Sequence, residues 1–196
     1  VRYVFGHHPV CHRKQRVVHL SAMDTIATDR NILHIRGDVV MKNTKILIIG
    51  GGIAGLATMN RLESIGYEPK LVESGANIRT DGTGILLGIN AVSILSKMGF
   101  AKILAQKGVK LTDMTGLDDT GRQILSGDLG YMEEKSGFGT YAVQRDALCD
   151  ILLSGVNRQN ITVNKKVSKV ENGQNGVFVF FEDGDSELYD LVVGAD

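Results

Sequence analysis

Several things are scarce in this 196-residue sequence, and each scarcity excludes something. There is no excess of one charge: Lys plus Arg number 22 and Asp plus Glu 22. That excludes a protein that holds nucleic acid by bulk charge, and no nucleic-acid partner is expected. Cysteine is rare, and Cys11 and Cys149 alone cannot build a disulfide framework. The expected compartment is therefore reducing, namely cytoplasmic. Proline occurs twice and glycine has no three-residue period, which excludes collagen-like and linker composition. No apolar run approaches the roughly 20 residues that span a bilayer, so no membrane span is expected. No histidine follows His34, so the rest of the chain holds no Ser-His-Asp set for acyl transfer.

What is present is globular. Apolar residues make up 43% and charged residues 22%, enough apolar surface to offset the entropy of ordering a core. Glycine is abundant at 24 residues, which points to tight turns and close backbone approach in ligand loops. The charges are unevenly spread. The first 40 residues hold all five histidines and six basic residues against three acids, leaving a net negative remainder. This shift marks a boundary at Met41. The segment before it has no sustained helical or strand period and no apolar signal core. Residues 1–40 are expected to be a disordered leader, non-native or translated from upstream, with Met41 as the true start. His7, His8, Cys11 and His12 are of metal-ligating types, but their spacing matches no common ligand pair, and no metal site is expected.

The chemistry begins after Met41. Lys45–Ile49 is a short β-branched run that reads as a strand buried on both faces. Gly50, Gly52 and Gly55 then fit G-x-G-x-x-G. Leu56, Met59, Leu62 and Ile65 follow at spacings of three, one apolar face of a helix over Ile53–Ile65. Gly66 stops it, and Lys70-Leu71-Val72 is a second strand closed by Glu73. Strand, glycines, helix, strand and acid in that order are the context that a dinucleotide-binding fingerprint requires. Gly50 permits the turn, Gly52 lets the backbone approach a pyrophosphate, and Gly55 lets helix and strand pack closely. The helix N-terminus, with Ile53 and Ala54 in its first turn, offers free N–H groups to phosphate oxygens. Glu73, followed by Ser74, is placed to bind an adenosine ribose. An acid there disfavours a 2′-phosphate, which suits FAD or NAD over NADP.

Further along, Asn90–Met98 reads as a short helix and Leu111–Ile124 as two short strands turning at Asp118–Gly121. Met132–Lys135 reads as a solvated loop. Tyr131, Phe138 and Tyr141 are aromatic candidates for a pocket, with ordinary packing as the preferred reading. Cys149 reads as a packed core thiol.

One set of residues in order is more specific than any of these. Glu73, Arg79, Gly82-x-Gly84-Ile85 and Asn90-Ala91 are followed by Tyr141-Ala-Val-Gln-Arg145-Asp-Ala-Leu148. Val177–Phe181, Asp183-Gly184 and Asp190-Leu-Val-Val-Gly-Ala-Asp196 come last. From about Lys45 to Asp196 the chain resembles the FAD-dependent aromatic hydroxylases, single-component flavoprotein monooxygenases of the para-hydroxybenzoate hydroxylase type. The resemblance implies an α/β fold: a Rossmann-like FAD-binding βαβ unit with a parallel sheet, plus the beginning of a β-rich substrate domain, truncated at the C-terminus. Residues 41–196 would form the incomplete FAD-binding domain, with 110–140 as a partial substrate-domain insertion.

The resemblance also implies roles. Gly50, Gly52, Ile53, Ala54 and Gly55 would hold the FAD pyrophosphate, and Glu73 with Ser74 the ribose. Arg79 and Arg145 would lie along the pyrophosphate and ribityl chain, Val167 in the cofactor shell, and Asp196 beside the flavin. NADH or NADPH would be the transient electron donor, and the substrate a small aromatic molecule. No residue is identified as catalytic, and the 196 residues alone are expected to be inactive. Two alternatives stand beside this reading: a truncated, non-catalytic dinucleotide-binding fragment, and part of a related flavoprotein reductase, epoxidase or halogenase.

Overall fold

The structure, a computed structural model, describes residues 17–19, 27–29, 32–35, 38–41, 44–78 and 82–195. Its first strands lie before Met41: β1 (Val17–His19), β2 (Ala27–Asp29), β3 (Ile32–Ile35) and β4 (Asp38–Met41). The rest of the 1–40 segment, including His7, His8, Cys11 and His12, lies outside the described residues. From Thr44 the order is β5 (Ile46–Ile49), α1 (Ile53–Ser64), β6 (Lys70–Val72), β7 (Gly84–Leu87), α2 (Ile89–Lys97) and α3 (Ala101–Lys107). Next come β8 (Val109–Leu111), β9 (Asp113–Leu117), β10 (Gln123–Asp128), α4 (Leu129–Ser136), β11 (Thr140–Gln144) and α5 (Arg145–Leu153). A single 3₁₀ turn (Arg158–Asn160) leads to β12 (Ile161–Thr162), β13 (Val167–Asn172), β14 (Val177–Phe181), β15 (Ser186–Tyr189) and β16 (Leu191–Gly194).

A five-stranded sheet in the order β1-β16-β5-β6-β12 organises the molecule, and all its pairings are parallel. Strand alternation explains why β5 has no polar residue. Ile46 and Ile48 enter one core with Leu71, Leu191 and Val193, while Leu47 enters another with Val72 and Val192. Over the first face lie Leu56, Met59 and Leu62 of α1, Leu95 of α2, Leu104 of α3, and Leu148, Ile151 and Leu152 of α5. Over the second lies the antiparallel sheet β13-β14-β15, through Val177, Val179, Phe181 and Tyr189. The result is helices, parallel sheet and meander in three layers. Each fully buried Leu or Ile contributes roughly 1.5–3 kcal/mol of transfer free energy to holding them together.

Two elements outside this frame differ from the expectation of the sequence. Leu111 does not begin a hairpin; it ends β8, in register with Thr140 of β11, in a separate three-stranded sheet β7-β11-β8. The hairpin proper is β9–β10, with Asp118 accepting from Thr120 N and Arg122 N in its turn. Met132–Lys135 is not a loop but the body of α4. The signals were at its ends: the Asp128 side chain accepts from Tyr131 N as an N-cap, and Gly137 adopts φ 78° after the last turn. Met132 and Tyr131 are exposed, so no apolar stripe announced the helix.

The meander is fixed to the sheet edge by Lys165. Its ammonium contacts Asp183 and Asp185 and lies 4.6 Å from the Phe181 ring centre. Hydrogen bonding from Lys165, and then from the Asp185 N–H, holds the Asp183 carboxyl below the usual 3.8. A lowered carboxylate pKa contributes stability above the unfolded value, and that stability is lost as pH falls through the folded one. Asp183→Asn is therefore expected to lower Tm at neutral pH, and the gap from wild type to close below about pH 3.8. Thermal melts across the acid range read this directly; a gap independent of pH would contradict it.

Candidate dinucleotide site

At the carboxyl end of β5 the sheet reverses its order: β6 lies on one side and β16 on the other. In open α/β sheets that reversal leaves a crevice. Three backbone segments meet there. Gly50 N donates to Val72 O at 2.8 Å, and Ala195 N donates to Ile49 O at 2.8 Å. Glu73 follows at the end of β6, with its own N donating to Thr162 O and its O accepting from Lys165 N, both at 2.9 Å.

The glycines of the loop differ in why they are glycine. Gly50 has φ 109°, a conformation that L side chains rarely adopt. At Gly55 a Cβ would stand 1.9 Å from the carbonyl oxygen of Gly50, so the helix could not sit this close to the strand. Gly52 has neither reason. Its backbone is extended, at φ −76° and ψ −172°, and a Cβ there would meet nothing within 4 Å. The fold leaves open space at this residue, which is the N-cap of α1. No side chain caps α1, so its first N–H groups are without a side-chain capping bond. Ile53 and Ala54 form the first turn.

Gly51, to which the sequence reading assigned nothing, is where the acid acts. Glu73 is buried, and its Oε2 accepts from Gly51 N at 2.7 Å. Its Oε1 accepts from Gly75 N at 2.7 Å and from Ser74 Oγ at 3.1 Å. A Cβ on Gly51 would stand 3.2 Å from Oε2 and 2.4 Å from Ile78 Cδ1. Glu73 therefore joins the glycine loop to the loop after β6 using both oxygens. The spacing of glycines and acid could not reveal this, because it depends on where the Gly51 N–H points.

Arg145 opens α5, which follows β11 directly. Its aliphatic arm lies across Gly82, where a Cβ would come within 2.7 Å of Arg145 Cδ. One turn on, burial pushes the Cys149 thiol up despite Arg145 nearby, which makes it a core thiol rather than a nucleophile. Val167 begins β13 opposite Phe181 and packs, half-buried, on the meander core. Phe138 and Tyr141 pack on the main core, whereas Tyr131 is exposed. Arg79 and Asp196 lie outside the described residues. Among the described residues no group of His, Cys, Asp and Glu is arranged to hold a metal, and no helix is long and apolar enough to cross a membrane.

No family model matches the chain. Individual proteins do. A flavin-dependent monooxygenase of Legionella longbeachae is 32% identical over 158 residues, covering 79% of this chain and 40% of the relative. An FAD-dependent urate hydroxylase of Klebsiella pneumoniae is 29% identical over 153 residues, covering 78% and 40%. The crystal structure of Klebsiella pneumoniae HpxO complexed with FAD and uric acid matches with a TM-score of 0.68 at 27% identity, covering 78% of this chain and 39% of that one. The chain is thus similar, over about four-fifths of its length, to FAD-dependent monooxygenases, and its mixed α/β fold with a parallel sheet is that of their N-terminal part. It spans between about a fifth and two-fifths of the length of the curated relatives it matches.

Proposed function

We propose that residues 45–196 bind the ADP half of FAD, and that the longer protein this segment serves is an FAD-dependent monooxygenase acting on a small aromatic substrate with NADH or NADPH as electron donor. The observation that carries the proposal is Gly52: open space at a helix N-terminus with no side-chain cap, at a residue with no conformational or packing reason to be glycine. A pyrophosphate supplies both the volume and the acceptors. The names of the relatives support FAD over NAD as its source.

In this reading each residue has a task of its own. Gly52, Ile53 and Ala54 present N–H groups to the phosphates, while Gly50 and Gly55 shape the loop. Glu73 keeps that loop in place through Gly51, and a ribose hydroxyl competes with Ser74 for Oε1. The Arg145 guanidinium, together with Arg79, adds charge and paired donors along the phosphates. Val167, from the meander side, and Asp196 complete the cofactor shell. FAD when bound supplies the redox chemistry: hydride acceptance from the nicotinamide and transfer of one oxygen atom from O2 to the substrate. The chain's part is to bind, to orient and to keep water from the cofactor.

The test is the longer protein, purified and assayed for bound flavin and for O2 consumption driven by NADH or NADPH. Bound FAD with substrate-stimulated O2 consumption is expected. A purified protein with no flavin, or with flavin but no O2 consumption with either donor, contradicts the monooxygenase reading.

A further inference from the structure

We infer that Asn60 is a positioning residue for the cofactor site: it locks α5 to α1 in the register that holds Arg145 level with the glycine loop. The inference rests on the cofactor reading above. Asn60 is a buried amide in the middle of an apolar helix face, 7% exposed between Met59 and Leu62. A polar group there costs free energy unless it is satisfied. Its Nδ2 donates twice, to Leu56 O within α1 and to Leu152 O of α5, both at 2.8 Å.

Leu152 lies in the last turn of α5, and its carbonyl accepts both from Asn60 and, at 3.2 Å, from Gly155 N. Asn60 therefore ties the end of one helix to the middle of the other. One turn along α1, the Glu63 carboxylate accepts from Asn157 N, just beyond α5, at 3.1 Å. Both contacts ascend along the two chains together, so the helices run parallel and point their N-termini the same way. The backbone makes room for the lock at Gly155, where a Cβ would stand 2.2 Å from Asn60 Oδ1.

The spacing gives the lock its consequence. Asn60 is seven residues from Ile53, the first residue of α1, and Leu152 is seven from Arg145, the first of α5. At 1.5 Å of rise per residue, the shared bond is about 10 Å from both N-termini. A slip of α5 by one residue moves Arg145 about 1.5 Å along its axis, enough to spoil a guanidinium–phosphate fork. Leucine at position 60 removes this bond and leaves the register to side-chain packing and the Glu63–Asn157 contact.

The test is a double-mutant cycle on FAD affinity in the full 196-residue chain, read by quenching of flavin fluorescence. Asn60→Leu is expected to weaken FAD about tenfold, as does the loss of one charge-assisted hydrogen bond. In an Arg145→Ala background it is expected to weaken FAD no further, because neighbours acting through one contact are not additive. Asn60→Leu should also flatten the salt dependence of FAD binding as Arg145→Ala does, a readout that general loosening of the fold would not move. If Asn60→Leu does not fold, Asn60→Ser goes through the same cycle. Its hydroxyl bonds Leu56 O but is too short for Leu152 O.

An equal loss in both backgrounds would overturn the role of Asn60 while leaving the cofactor site intact. Absence of FAD binding by wild type would overturn the cofactor reading and this inference with it, whereas affinity unchanged by Arg145→Ala would overturn this inference alone.

Discussion

Replacing Gly52 with valine is expected to weaken FAD binding by at least about a hundredfold while leaving the fold in place. Losing two hydrogen bonds from N–H groups to charged phosphate oxygens costs about 3 kcal/mol or more, which is that factor in affinity. The fold is spared because Gly52 already has a φ of −76° that valine adopts, and a Cβ there meets nothing within 4 Å. Valine is a poorer N-cap than glycine, which costs the helix about 1 kcal/mol, a loss that a stably folded chain tolerates. Circular dichroism and thermal melting establish the fold, and flavin titration the affinity. Flavin affinity equal to wild type in a folded Gly52→Val chain would remove the central observation behind the proposed site.

Gly55→Ala is expected to do the reverse: it damages the fold first and the site only as a consequence. The added Cβ stands 1.9 Å from the Gly50 carbonyl oxygen and 3.5 Å from Ile48 Cγ2. The first contact is with backbone, so no side-chain rotamer relieves it; α1 must move off β5. α1 carries Leu56, Met59 and Leu62 into the main core, so that movement opens the interface on which the three layers depend. The expected loss is about 3 kcal/mol or more, at or above the upper end of overpacking costs. Chemical denaturation measures it. A Gly55→Ala chain as stable as wild type would show that α1 and β5 are not packed as described. Together the two variants separate a glycine kept for a ligand from a glycine kept for the fold, three residues apart in one motif.

The βαβ unit was legible because local and tertiary signals agree there. Ile46–Ile49 is apolar at every position since both sheet faces are covered, and α1 shows three-residue spacing because one face meets that sheet. Gly66 follows with φ 89°, the stop that the sequence announced. α4 was not legible because it buries no residue; its existence depends on Asp128 and Gly137 at its ends, which a search for apolar periodicity passes over. Leu111 was placed in the wrong sheet because strand pairing over long separations leaves no local trace, and Val109–Leu111 finds β11 about 30 residues later. Among the candidate site residues, Gly50, Gly52, Gly55 and Glu73 stand out by spacing, whereas Arg145 stands out only through the family resemblance. The bond from Gly51 to Glu73 and the bond from Asn60 to Leu152 were not legible, since each depends on one donor's direction in the folded chain.

The proposed ligand at Gly52 is the ADP half of FAD. Titration of the 196-residue chain with FAD, followed by competition with ADP and with NAD, tests it most directly. Saturable FAD binding that ADP displaces, with NAD competing no better than ADP because it shares only that half, is the result predicted. Binding of NAD with no binding of FAD would contradict it.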